Sequence, residues 1–400
     1  MDNHLMSSYP HPPKPQAPPR GKARVRAALL RAAAGAMRGR AGEAPSLQQA
    51  STARILVIRP DHLGDLLFLG PAMRWLRARL PAAHITLAIG PWARPALPGL
   101  AKAYDEIIEL PFPAFERGER AGPAARWSMW RQQAQRLRKG AFDAALIARP
   151  DHWWGAMLAR FAGIPFRLGF ETRETAPWLS RALAPRHEHA AAANLRLAAA
   201  LTGDSLTPDP RAHPLRFQID PETRAGAEAM LAAQLPPGGP LAVIHPGSGA
   251  TVKLWDAAKW QEIARRLVAL GARVAVTGGP GEEALTRTVA GVGSPRVIDL
   301  GGRTSFTLLA ALLAQADLVM GPDSGPLHLA VAVGTPTVHL YGPADPVIYG
   351  PWGDPQQHRV ILSHWDCAPC GQFDWPDPPA HGCARDIAVE RVWRAVEGLF

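Results

Sequence analysis

The chain is predicted to fold as α/β, in two facing Rossmann-like, doubly wound domains behind a basic N-terminal tail. Three observations predict it. From Ala53 onward, short apolar runs alternate with helix-like stretches, which is the signature of parallel strands covered by helices. Around residues 203–240 the alternation breaks in a stretch dense in Pro and Gly (GDSLTPDPRAHP, QLPPGGP), and then it resumes. The first fifty residues share neither feature. With 400 residues, of which 47% are hydrophobic and 20% charged, each domain has enough chain to bury its own core.

Residues 1–52 form the tail. The first twenty are rich in Pro and read as disordered, and Gly21–Gly42 reads as a loose Ala/Arg helix with Val25, Leu29 and Leu30 on one side. Residues 53–215 form the first domain, with strands at ARILVIR, HITLAIG, DEIIEL and DAALIAR and helices such as PAMRWLRARL between them. Residues 216–239 are read as the linker. The second domain, 240–385, takes strands at PLAVIHPG, ARVAVTGG, PRVIDLGG, ADLVMGPD and TPTVHLYG. Residues 386–400 are helix-like, with Ile387, Val389, Val392, Trp393 and Val396 apolar.

The net charge of +10 is unevenly spread. Residues 1–50 hold 8 Lys/Arg against 2 Asp/Glu, residues 51–235 hold 24 against 17, and residues 236–400 hold 12 against 15. No zinc finger, helix-turn-helix or interleaving of basic and aromatic residues accompanies this, so nucleic acid is not the expected partner. A basic N-terminal half suits an anionic lipid headgroup or a phosphorylated glycolipid. No run of 18 apolar residues is present and the N-terminus is polar, so neither a membrane span nor a secretory signal is expected, and the location is read as cytoplasmic.

Three strand–loop–helix motifs carry the chemistry. In GPDSGPLHLA (Gly321–Ala330), Gly321 and Gly325 allow a tight turn and Ser324 is placed to cap a helix beginning near Pro326. His328 then sits in its first turn. Backbone N–H groups and a positive helix end there suit a diphosphate leaving group. HPGSGATVKLW (His245–Trp255) offers the hydroxyls of Ser248 and Thr251 and the compact charge of Lys253, with Trp255 read as packing. RPDHLGD (Arg59–Asp65) places Asp61 and Asp65 at the C-terminal edge of the first strand, where each is a candidate base. The tetrapeptide Arg-Pro-Asp-His recurs at Arg149–His152. Arg59, Asp61, Arg149 and Asp151 are therefore candidates for gripping an acidic or phosphorylated acceptor, and Trp153 and Trp154 for stacking on a sugar or for packing.

Together these stretches resemble glycosyltransferase family 9, the family of the bacterial lipopolysaccharide heptosyltransferases, over roughly residues 54–395. The resemblance implies a GT-B fold whose C-terminal helix crosses back to the first domain. It implies an inverting, metal-independent transfer without further cofactors, from a nucleotide-diphosphate sugar such as ADP-heptose to a glycan or glycolipid such as lipopolysaccharide core. The enzyme would then work in the cytoplasm, peripheral on the inner membrane. Residue by residue, it implies that Asp323, Ser324, Gly325 and His328 contact the donor, and that Lys253, in the K-x-W spacing, binds phosphate. Glu282, with Glu283 in reserve, accepts from the nucleotide ribose, and Asp65, in the G-D pair, deprotonates the acceptor. A sugar-nucleotide epimerase or hydrolase, and a catalytically silent nucleotide-binding scaffold, are the alternatives.

Cys367, Cys370 and Cys383, with His364 and His381, are enough ligands for zinc, but their order matches no familiar finger. They are read as reduced thiols, and no metal is assigned.

Overall fold

A computed structural model describes residues 52–112, 123–373 and 382–400. The tail, including Gly21–Gly42, and His381 lie outside the described residues. The first sheet is built from β1 (Arg54–Arg59), β2 (His84–Ile89), β3 (Glu106–Glu109), β4 (Ala144–Ile147), β5 (Phe166–Phe170) and β6 (Arg181–Leu183). Its order is β3-β2-β1-β4-β5-β6 and every pair is parallel. Helices α1 (Leu63–Arg79), α2 (Pro123–Lys139), α3 (Trp153–Phe161) and α4 (Ala190–Thr202) cover it, and α5 (Pro221–Ala232) follows.

The second sheet repeats the plan with β7 (Leu241–Ile244), β8 (Arg273–Gly278), β9 (Val297–Gly301), β10 (Leu318–Pro322), β11 (Thr337–Tyr341) and β12 (His358–Leu362). Its order, β12-β11-β10-β7-β8-β9, is again wholly parallel and doubly wound. Helices α6 (Ala257–Ala269), α7 (Glu283–Ala290), α8 (Phe306–Leu313), α9 (Gly325–Val333), α10 (Pro346–Tyr349) and α11 (Val389–Glu397) complete it. The strands buried on both faces are the continuous apolar runs of the sequence: β1, β4, β7 and β10 are almost wholly inaccessible.

Two features of the described residues bear on the linker and on the C-terminal helix. The stretch read as linker contains α5, which begins at Pro221 after Asp220 accepts a hydrogen bond from Thr223 N at 2.8 Å, and which buries Ala227 and Leu231. The C-terminal helix α11 does not return to the first domain to bury its apolar side. Val392 and Val396, fully buried, join Ile387 in the core of the second domain with Trp255, Leu267 and Val338. Trp255 fixes that segment by donating from Nε1 to the Ile387 carbonyl at 2.9 Å. The seam between the domains is formed elsewhere, by α1 against α9, and one apolar core runs through it from Leu67 and Phe68 to Leu327 and Leu309.

Among the buried histidines, His152, His245 and His358 are 6%, 4% and 5% exposed. Burial draws them down to about 3, about 4 and about 4, respectively. An unfolded chain protonates its histidines near pH 6.5. Between that value and pH 4 the unfolded state therefore holds more protons, and stability falls as pH falls. The set is worth several kcal/mol, so the melting temperature at pH 4 is expected to lie about 10 °C below that at pH 7. A melting temperature flat over this range would show that these rings are hydrated.

Candidate active site

In a doubly wound sheet, ligands gather where the strand order reverses, beyond the C-terminal strand ends. The first sheet reverses between β1 and β4, whose following loops are the two Arg-Pro-Asp-His repeats. The second reverses between β7 and β10, whose loops carry His245–Lys253 and Asp323–Gly325. These loops face one another across a cleft of 790 Å³ lined by Asp65, Arg149, Lys253, Glu282, Asp323 and His328, among others. The starts of α1 and α9 almost touch: a Cβ on Gly64 would lie 3.1 Å from the Gly325 Cα. Glycine at 64 thus serves a close backbone approach between domains.

On the second domain, Lys253 Nζ donates to Asp323 Oδ2 at 2.6 Å, and His328 Nε2 lies 3.5 Å from Asp323 Oδ1. Asp323 is 5% exposed. Burial works against its charge, but the hydrogen bond from His328 and the Lys253 ammonium outweigh it and hold the carboxyl at about 2. Ser248 Oγ donates to the Asp323 carbonyl at 3.1 Å. Ser324 stands at the N-cap of α9 but makes no capping hydrogen bond. Among the described residues its buried Oγ and the buried Nδ1 of His328 both lack a partner. Beside the open N–H groups of the α9 start, such orphaned groups are what an anionic ligand would satisfy.

Glu282 Oε2 accepts from Gly279 N at 2.7 Å and lies 3.8 Å from His245 Nε2. Its carboxylate lies where a Cβ on Gly247 would be, so glycine there leaves Glu282 its present place. Glu283 turns back instead, accepting from Gly281 N at 3.1 and 3.0 Å, so Glu282 is the one that faces the cleft. Thr251 is exposed and lies outside the cleft wall.

On the first domain, Asp61 is 1% exposed and lies 2.6 Å from Arg59 Nε, and it also pairs with Arg149. Arg59 donates to the Ala148 carbonyl, and its Nη2 lies 3.6 Å from Asp65 Oδ1. Arg149 Nε donates to Asp151 Oδ1 at 2.6 Å. The repeats thus interlock as a chain of alternating charge from Asp65 through Arg59, Asp61 and Arg149 to Asp151. Burial pulls the Arg59 guanidinium below its ordinary value, which makes its carboxylate partners necessary. Asp61 is consumed by this clamp. Asp65, at the first turn of α1, is 30% exposed to the cleft and has the looser contact.

The aromatic wall of the cleft was not read from sequence. Trp92, Phe306, Tyr349 and Phe373 line it, and Phe68, one turn beyond Asp65, sits 4.6 Å from the His328 ring. None belongs to a loop motif, so no local signal marked them. Trp154 packs on Phe112 at 5.5 Å, outside the cleft lining. Among the described residues no group of three His, Cys, Asp or Glu is placed to hold a metal ion. Burial and the adjacent Cys370 and Cys367 push the Cys383 thiol up to about 11. No helix among the described residues is long and apolar enough to cross a membrane.

Residues 130–376 match glycosyltransferase family 9 (heptosyltransferase). The chain is 28% identical over 308 residues to lipopolysaccharide heptosyltransferase 2 of Salmonella typhimurium, covering 73% of this chain and 84% of that protein. It is 36% identical over 115 residues to lipopolysaccharide heptosyltransferase 3 of Escherichia coli, a match spanning 28% of this chain and 34% of that protein. In three dimensions it is similar to E. coli ADP-heptose lps heptosyltransferase II, with a TM-score of 0.68 at 22% identity, over 86% of this chain and 98% of that one. That likeness shows the two-domain GT-B fold. With the family match spanning more than half of its length, the chain belongs to glycosyltransferase family 9 and is a glycosyltransferase.

Proposed function

We propose that this enzyme transfers heptose, with inversion, from ADP-heptose to lipopolysaccharide core or a comparable anionic glycolipid at the cytoplasmic face of the inner membrane. The names of its relatives support the sugar and the acceptor class. The observation that carries the reading is the juxtaposition across one cleft of a cleft-facing carboxylate, Asp65, with the Asp323–Lys253–His328 cluster at the start of α9.

In this reading Asp65 takes the proton of the acceptor hydroxyl as its oxygen attacks the anomeric carbon. The bond from that carbon to the diphosphate breaks in line, and ADP leaves with the electron pair. Lys253, His328, Ser324 and the N–H groups beginning at Gly325 stabilise the departing charge, with Asp323 holding Lys253 and His328 in place. Ser248 steadies the Asp323 loop, and Glu282 accepts from the ribose hydroxyls. Arg149, aligned by Asp61 and Asp151, presents positive charge to the acceptor, while Arg59, buried behind the cleft wall, holds Asp61 and Asp65 in place. Every step is assigned to protein groups.

Melting curves with ADP, UDP, GDP, CDP and dTDP test the donor site. ADP at a hundredfold excess over its dissociation constant should add about 2.7 kcal/mol of stability. His328→Ala should abolish most of that gain. Stabilisation by a different nucleotide alone would replace ADP in this reading, and stabilisation by none would remove the donor assignment.

A further inference from the structure

Tyr349 takes no part in the reaction described above. It ends the short helix α10 in the second domain, yet it lines the cleft with Asp65 and Arg149 of the first. The element that carries it is tied to the first domain at both ends. At its start, Asp345 caps α10 by accepting from Val347 N at 2.9 Å and pairs with His187 at 2.7 Å across the seam. At its end, the Gly350 carbonyl accepts from His189 Nε2 at 2.9 Å. His189 Nδ1 meanwhile accepts from Ala191 N at 3.0 Å, so the neutral Nε2–H ring both caps α4 and straps α10. The Tyr349 carbonyl is held from its own domain by Tyr341 Oη at 2.6 Å.

Tyr349 is 37% exposed, and its hydroxyl makes no hydrogen bond among the described residues. Burial, and next the Asp65 carboxylate, raise the phenol above its usual range, while Arg149 and Arg59 oppose the shift and Asp151 adds to it. The group is therefore a neutral donor beside the carboxylate that receives the acceptor.

We infer that Tyr349 is an acceptor-binding residue supplied by the donor domain. Its O–H donates to an oxygen of the sugar held at Asp65, and its ring covers that sugar's apolar face. The inference rests on the transfer reaction proposed above. Because α10 is strapped across the seam, the acceptor site is complete only when the two domains are closed.

The test is steady-state transfer from ADP-heptose to O-deacylated, heptose-deficient lipopolysaccharide, with ADP affinity measured by calorimetry on the same proteins. Tyr349→Phe should raise the acceptor KM about threefold to tenfold, the effect of one lost hydrogen bond. Tyr349→Ala should raise it further, and both should bind ADP as the wild type does. An unchanged acceptor KM in both variants, with an active wild type, overturns the inference and leaves the transfer reading intact. Loss of ADP affinity in proportion to the rise in KM makes the residue structural and also overturns it. A wild type that transfers nothing removes the transfer reading, and the inference with it.

Discussion

Asp65→Asn is expected to lower kcat by about 10²–10⁴-fold while leaving ADP affinity and melting temperature near those of the wild type. The amide keeps the shape of the carboxylate and removes only its ability to take a proton. Little of the fold depends on that charge: the contact with Arg59 is 3.6 Å long, and Arg59 retains Asp61 at 2.6 Å. The variant thus separates chemistry from binding, which also answers the silent-scaffold alternative, since a scaffold has no transfer to lose. Single-turnover transfer with saturating donor is the decisive measurement. Retention of more than about a tenth of the rate would place the base elsewhere.

Asp61→Asn is expected to do the opposite, unfolding the first domain more readily by about 3–5 kcal/mol. Asp61 is the shared counter-ion of two guanidinium groups, and it is 1% exposed. Neutralising it leaves the buried Arg59 with only the longer ionic contact, to Asp65, and it cuts Arg149 from the β1 loop. A fall in melting temperature of about 10 °C is expected. A variant that melts like the wild type but no longer transfers would exchange the roles of Asp61 and Asp65. The two neighbouring carboxylates, four residues apart, are thus distinguished by opposite outcomes in two simple assays.

The fold was legible wherever a strand is buried on both faces, because burial demands a continuous apolar run. It was not legible at one edge of each sheet, nor at β5. RAL of β6 is short and largely exposed, and HRVIL of β12 opens with His358 and Arg359. FRLGF of β5 hides its character behind Arg167, which is buried because it donates to the carbonyls of Trp178 and Pro165 at 2.7 and 2.8 Å. The helix α5 was masked by the prolines around it, although Asp220–Pro221 is itself a helix-start signal. At the site, residues fixed by loop motifs were readable: Lys253, Asp323 and His328 converge as their strands and helices require. What could not be read was pairing at long range. Only the adjacency of β1 and β4 turns two tetrapeptides into one ionic clamp, and only the seam brings Tyr349 beside Asp65.

The apolar core that passes without interruption from one sheet to the other has a consequence for engineering. In the reading proposed above, donor specificity resides in the second domain, which invites grafting that half onto the first half of a relative. Such a chimera would inherit two mismatched surfaces around Phe68, Leu327 and the Gly64–Gly325 approach, where a methyl group added at Gly64 would lie 3.1 Å from the Gly325 Cα. Exchange of sugar specificity in this enzyme therefore has to be made by replacing loops within a retained seam, and not by swapping whole halves.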